Sequence, residues 1–298
     1  MRKLLFFFLF IMTLGLIQGQ ESSYQYQVAL AQAQFDRGDY EKATTTLMYA
    51  FAQRSPRSKG LILALHSSTL AKDYEQTFAI LDQGINSGWI TLDQILSDDI
   101  LTALHPRQEW QELVQKLIRF SNGTNTELRE RIATLLERDQ YYRQQMQTVA
   151  RDKGWEDPSI QEMHSLQQEL DVINLKEVEG IIEAYGYPGR SLVGNLSATA
   201  LYIIQRADIE TQEKYLPLFE EAAQKHEILR AELAYLVDKI RMSREEPQVY
   251  GTQIIRSSDG LLEFYPIEEP ESVDKRRLEV DLIPLGEYAE KVGVTWTK

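Results

Sequence analysis

Three carboxylates and one short polar cluster are the residues of this chain best suited to chemistry. The cluster is Gln248-Val-Tyr-Gly-Thr-Gln253, in which Gln248, Tyr250, Thr252 and Gln253 supply donors and acceptors and Gly251 permits close backbone approach or a bulge. Asp139 and Arg143 stand four residues apart in a gap of the apolar stripe Leu128, Ile132, Leu135, Leu136, Met146 and Val149. A carboxylate and a guanidinium, with Gln140 beside them, therefore fall on a helix face that should be buried, where charges must be paired or functional. Gln205 and Asp208 continue the inward face of Ala198, Leu201 and Ile204, and Asp238 flanks a helix carrying Leu229, Leu233, Leu236, Val237 and Ile240. Two carboxylates in one pocket, one protonated and one ionised, can run hydrolysis. Asp139, Asp208 and Asp238 are the candidate acids or bases, with Gln140, Tyr250 and Gln253 orienting substrate. The same residues also suit a ligand-binding pocket, or a buried network that fixes helices to a hairpin. Asp208 has a second reading, as N-cap of the helix that follows it.

Several chemistries lack their signature. There is no H-E-x-x-H, G-x-S-x-G, phosphate-binding loop or dinucleotide fingerprint, and with Cys 0 there is neither a thiol nucleophile nor a disulfide. His66, His105, His164 and His226 have no companion ligands at metal-binding spacing, so no metal and no cofactor are expected. The formal charge is −13, and removing Arg2 and Lys3 takes it to −13 − 2 = −15. That sign disfavours nucleic acid and anionic membranes as partners.

The elements that position these residues begin after a leader. Arg2-Lys3, the apolar run Leu4 to Leu16 and the small residue Gly19 have the layout of a cleaved secretory signal over residues 1–19, which implies a periplasmic or secreted protein with no membrane span after cleavage. Residues 20–120 read as helical repeats. Gly38-Asp39-Tyr40-Glu41-Lys42-Ala43 returns as Lys72-Asp73-Tyr74-Glu75-Gln76-Thr77, and both Tyr40 to Tyr74 and Leu47 to Leu81 span 34 residues. That is the tetratricopeptide period, and two units need a cap, for which Ile90 to Ile118 offers Ile95, Leu96, Ile100, Leu101, Leu104, Trp110, Leu113 and Leu117. Such a repeat either holds a peptide or protein partner or serves as a scaffold. Ser121 to Asn125 is the expected domain boundary.

Residues 126–298 read as a second, helical domain with a C-terminal β-hairpin, so the fold class is mainly α, or α+β. Thr126 is the expected cap of the first helix, and Asn174-Leu-Lys-Glu177 reads as a capping box that starts a new one. Pro217 falls inside a helix and His226 at its end. Tyr250 to Arg256 and Leu261 to Ile267 are the expected strands, joined by a turn at Ser257 to Gly260. Arg276 and Arg277 read as a charged stretch and Pro284 as the start of a tail.

Asp139-Gln140-x-x-Arg143, Asp171-x-x-Asn174, Tyr187-Pro188-x-x-x-Leu192-Val193-Gly194, Ile204-Gln205-Arg206-Ala207-Asp208 and Gln248-Val-Tyr-Gly-Thr-Gln253 occur in this order. As an ordered set over about residues 127–285 they resemble the bacterial domain-of-unknown-function family 6624. The resemblance implies a secreted or membrane-linked bacterial protein and carries no activity with it. The family usually has histidine where this chain has Arg206, and an aspartate-arginine pair near the last helix where it has Asp238-Lys239. An arginine in that place cannot serve as a base, but it can bind a carboxylate or a phosphate.

Overall fold

A computed structural model describes residues 24–52, 56, 58–257 and 260–296. The expected leader, residues 1–19, lies outside them. The chain divides into two compact units, one of Met1–Val114 with Pro247–Lys298 and one of Gln115–Glu246.

The first helices form the repeat. α1 (residues 24–36) turns into α2 (Tyr40–Phe51), and α3 (Ser58–Leu70) turns into α4 (Tyr74–Asn86). The two turns have the same backbone. Gly38 and Lys72, 34 residues apart, both take positive φ (83° and 62°), and Asp39 N donates to Gln34 O as Asp73 N donates to Ser68 O. These bonds meet the last carbonyls of the preceding helix, so each pair closes on a left-handed C-terminal turn. Ala43 and Thr77, and likewise Leu47 and Leu81, occupy equivalent positions and are fully buried. Tyr40 packs edge-on against Phe35 at 5.3 Å, whereas Tyr74 lies under the Arg107 guanidinium at 3.6 Å.

The cap is built from α5 (Leu92–Leu96), a 3-10 turn (Asp99–Leu104) and α6 (Gln108–Asn122). Ile95, Leu101, Leu104, Trp110, Leu113 and Leu117 are buried as expected, but Leu96 is exposed, because α5 ends there after five residues and turns only one face inward. His66 pairs with Asp98 at 2.5 Å, and the His105 ring lies against Trp110.

In the second unit, α7 (Thr126–Lys153) and α8 (Pro158–Tyr185) are antiparallel helices of 28 residues each, about 42 Å long at the helical rise. Asn125, not Thr126, caps α7, its Oδ1 accepting from Leu128 N at 3.0 Å. The capping box at Asn174 does not form. α8 starts at Asp157 and Pro158 and runs unbroken through Asn174, whose backbone needs no cap and whose side chain is fully buried on the face of Val178 and Ile181. α9 (Arg190–Val193), α10 (Thr199–Ile204), α11 (Ile209–Gln224) and α12 (Arg230–Ser243) complete the unit. Leu128, Ile132, Leu135, Val178, Ile181, Leu201, Ile204 and Phe219 share one core. α11 passes through Pro217 without ending.

The C-terminal segment carries a smaller sheet than the sequence suggests. β1 (Ile254–Arg256) and β2 (Leu262–Phe264) pair antiparallel, with Ile255 opposite Glu263. Tyr250 to Gln253 lies outside the ladder, and Gln248 makes an isolated bridge to Ile267. Residues 258–259 of the turn lie outside the described residues. α13 (Val273–Glu279) and α14 (Leu285–Val292) follow, so Pro284 begins a helix and not a tail.

One backbone contact sets how α7 enters its unit. Thr124 N and Asn125 N both donate to Leu192 O at 3.0 Å. Gly123 has φ 72°, and a Cβ there would overlap the Leu192 carbonyl. Gly123→Ala is expected to cost about 2–4 kcal/mol in urea unfolding, from a strained dihedral and a clash with backbone that cannot swing away. A loss below 0.5 kcal/mol would mean that the loop is not constrained in this way.

Candidate functional site

The gap in the α7 stripe is a charged centre shared by three helices. Asp139 is 1% exposed, and its Oδ2 lies 3.1 Å from Arg206 Nη2 and accepts from Gln140 Nε2 at 2.6 Å. Arg143, the expected partner one turn along, approaches Asp139 Oδ1 only to 3.7 Å. Its main partner is Asp171 on α8, both of whose oxygens lie 2.6 Å from Arg143 Nη2. Gln167, one turn before Asp171, donates to the same carboxylate at 2.8 Å. The Asp139–Arg206 bridge thus links α7 to the residues following α10, and the Arg143–Asp171 pair links α7 to α8. The Arg138–Glu177 pair sets the same α7–α8 register further along.

A third cation completes the centre. Lys239 on α12 donates to Gln205 O, and Arg206 Nη1 donates to Tyr202 O. Burial lowers the Lys239 ammonium from its ordinary range, and the neighbouring Arg206 and Arg143 lower it further. Burial likewise lowers Arg206, while Asp139 opposes that shift. The side chains of Arg143, Arg206 and Asp171 remain about a quarter exposed (26%, 26% and 25%), so the centre is neither open surface nor sealed core.

Asp208 and Asp238 are placed differently. Asp208 is exposed and caps α11, accepting from Thr211 N at 2.8 Å, which lowers its carboxyl below the ordinary range. Asp238, expected on a flank, is fully buried. The reason is that α12 buries Ala234, Leu236, Asp238 and Ile240 together, a wider face than the apolar stripe alone marks out.

The Gln248 cluster, in the other unit, forms a clamped loop. Gln248 is fully buried; Oε1 accepts from Gln253 N at 2.8 Å, while Nε2 donates to Gln253 O (3.0 Å) and Tyr265 O (2.7 Å). Its amide therefore acts as a rung of backbone ladder where no strand runs. Thr252 Oγ1 accepts from Gln253 Nε2 at 3.0 Å. Gly251 has φ 69° and lies against Leu285 and Ile267.

Arg277 holds this loop from beneath. It is fully buried and donates to Tyr250 O (2.5 Å), Gly251 O (3.4 Å) and Ile283 O (2.6 Å), with its guanidinium 5.0 Å from the Tyr288 ring centre. Arg276 donates to Val249 O at 2.8 Å. The charged stretch is thus a structural clamp, which the sequence reading missed. No signal in the sequence marks it, because its acceptors in the loop are backbone carbonyls of a segment that reads as a strand.

The model of a family of unknown function, DUF6624, matches residues 126–296. The chain belongs to this family. No curated protein and no solved structure matches it. The DUF6624 match takes in both polar centres and extends past the motifs to α14. Among the described residues, no group of three or more His, Asp or Glu side chains is placed to hold a metal ion.

The DUF6624 domain holds a second perturbed carboxyl. Glu232, in the first turn of α12, is raised above its ordinary 4.5 by burial, against the opposing Tyr202 hydroxyl, the Leu229 backbone and Arg190. Tyr202, whose hydroxyl lies 3.1 Å from Glu232, is pushed up to about 12, by burial first. Because the folded carboxyl holds its proton more tightly than the unfolded one, stability from this group is fullest below the unfolded value of 4.5 and falls as pH rises through the folded value. Glu232→Gln should therefore gain urea resistance over wild type at pH 7 and lose that gain at pH 4. An equal difference at both values would exclude the effect.

For the clamp, Arg277→Met should cost about 3–5 kcal/mol, since the loop carbonyls lose their donors. Arg277→Lys should recover little of this, because one ammonium cannot reproduce the fork that spans Tyr250 and Ile283. Chemical denaturation of the two variants tests both statements.

Proposed function

We propose that this DUF6624 protein is a binding module, and that the centre around Asp139, Arg143, Asp171 and Arg206 is its ligand site. The observation that carries this reading is the combination of engaged carboxylates with partial exposure. Asp171 receives Arg143 and Gln167 on its two oxygens, while Asp139 receives Arg206 and Gln140 on Oδ2 and its buried Oδ1 faces Arg143 Nε at 3.7 Å without a hydrogen bond. Carboxylates held against guanidiniums in this way keep side chains in place and are poorly set to take a substrate's proton. A purely structural network would be sealed, yet Arg143 and Arg206 reach solvent.

The expected leader supports export of the protein. The repeat, with Tyr26 and Tyr49 exposed, suits a peptide or protein partner in the same compartment. No described helix is long and apolar enough to cross a membrane.

Two measurements test the proposal. In a thermal-shift screen of acidic, basic and neutral small molecules and peptides, at least one class should raise the Tm by about 5 °C at a hundredfold excess over Kd. Asp171→Asn, which releases Arg143, should remove that shift. Turnover of generic hydrolase substrates by wild type, or by Arg206→His, would favour the enzyme reading instead. Mass spectrometry of the exported protein should find its N-terminus at Gln20, and a retained leader would overturn export by cleavage.

A further inference from the structure

Three cations crowd the DUF6624 centre. Arg143 and Arg206 are tethered to Asp171 and Asp139, and Lys239 brings a third positive charge, whose ammonium is pushed down by burial first and then by both arginines. Like charges held together at a half-buried place are costly unless something there gains from them.

We propose that Arg143, Arg206 and Lys239 form the seat for a small anionic group, a carboxylate or a phosphate, and this rests on reading the centre as a ligand site. The donor inventory fits. Lys239 gives one hydrogen to Gln205 O and keeps two. Arg206 uses one hydrogen of Nη1 on Tyr202 O and turns Nη2 to Asp139, leaving Nε and the second hydrogen of each Nη. Arg143 commits Nη2 to Asp171, and its Nε is buried with no hydrogen-bond acceptor. Planar guanidiniums match the paired oxygens of both anions, and the ammonium adds a point charge that needs no fixed geometry.

A second, independent observation comes from α8. Asn174 is fully buried, and neither its Oδ1 nor its Nδ2 makes a hydrogen bond; Oε1 of Gln167 is in the same state. Gln167, Asp171 and Asn174 follow at helical spacing on one face, and the Arg143–Asp171 and Arg138–Glu177 pairs place Asn174 at the level of Asp139. Buried amides without partners are rare because each costs desolvation. Here they lie along the same charged centre, where a bound polar group gives them partners.

The test is calorimetric titration of the purified protein, at low ionic strength, with inorganic phosphate, with a short peptide bearing a free C-terminal carboxylate, and with the same peptide amidated. Phosphate or the free-carboxylate peptide should bind with a Kd below about 1 mM, and which of them binds identifies the source of the anion. Amidation should abolish peptide binding. Lys239→Gln and Arg206→Gln should each weaken binding tenfold or more, while the exposed Arg151→Gln leaves it unchanged. The proposal is overturned if neither probe binds wild type, or if the Lys239 and Arg206 variants bind as wild type does. If these probes fail while a neutral or basic compound protects in the thermal-shift screen, the anion seat falls and the ligand site stands. If nothing protects, both fall.

Discussion

A carboxylate at 1% exposure is the constraint from which the DUF6624 domain is organised. An isolated ionised side chain in such a place costs several kcal/mol, so Asp139 forces other elements to come to it. Arg206 answers from just beyond the end of α10, and Arg143 from one turn along α7. Arg143 is in turn held by Asp171, which sets the register of α8 against α7. Below this layer the same two helices contribute Leu128, Ile132, Leu135, Val178 and Ile181 to a continuous apolar core. The core supplies cohesion without direction, while the charged layer above it specifies which residues must face each other.

A second buried charge solves a different problem. Residues 248–253 are buried in part yet form no strand, so their carbonyls need donors from elsewhere. Arg277 and the Gln248 amide provide them, and α14 closes over the loop through Leu285 at Gly251. A cation is used here as a fork of hydrogen-bond donors for backbone, where its charge matters less than its geometry.

Most of the helical architecture was legible in the residues because its signals are local and periodic. The 34-residue return of Tyr40 at Tyr74 placed two equivalent helix turns, and the interrupted stripe at Asp139 and Arg143 marked the buried charged face. What was illegible depends on contacts distant in sequence. Arg143 prefers Asp171, 28 residues away, over Asp139 at the helical spacing of four, and only the folded α7–α8 pair brings it there. Asn174-Leu-Lys-Glu177 has the letters of a capping box, but burial along α8 outweighed them and the helix continued. Arg277 read only as part of a charged stretch, because its partners are carbonyls, which leave no trace in a sequence.

The two polar centres also serve as controls for each other. Each contains buried side chains with strong hydrogen-bonding groups, so burial alone does not distinguish scaffold from site. Bonding capacity does. Gln248 commits both ends of its amide to backbone, and nothing at that side chain is left to offer. Around Asp139 the opposite holds: Asn174 is buried without hydrogen-bond partners, the Lys239 ammonium stands among two arginines, and those arginines are tethered yet reach solvent. A protein that needed only rigidity there could have matched its donors to its acceptors, as it did at Gln248. The unmatched groups around Asp139 sit on elements that the apolar core holds still, which is what the proposed ligand site would require.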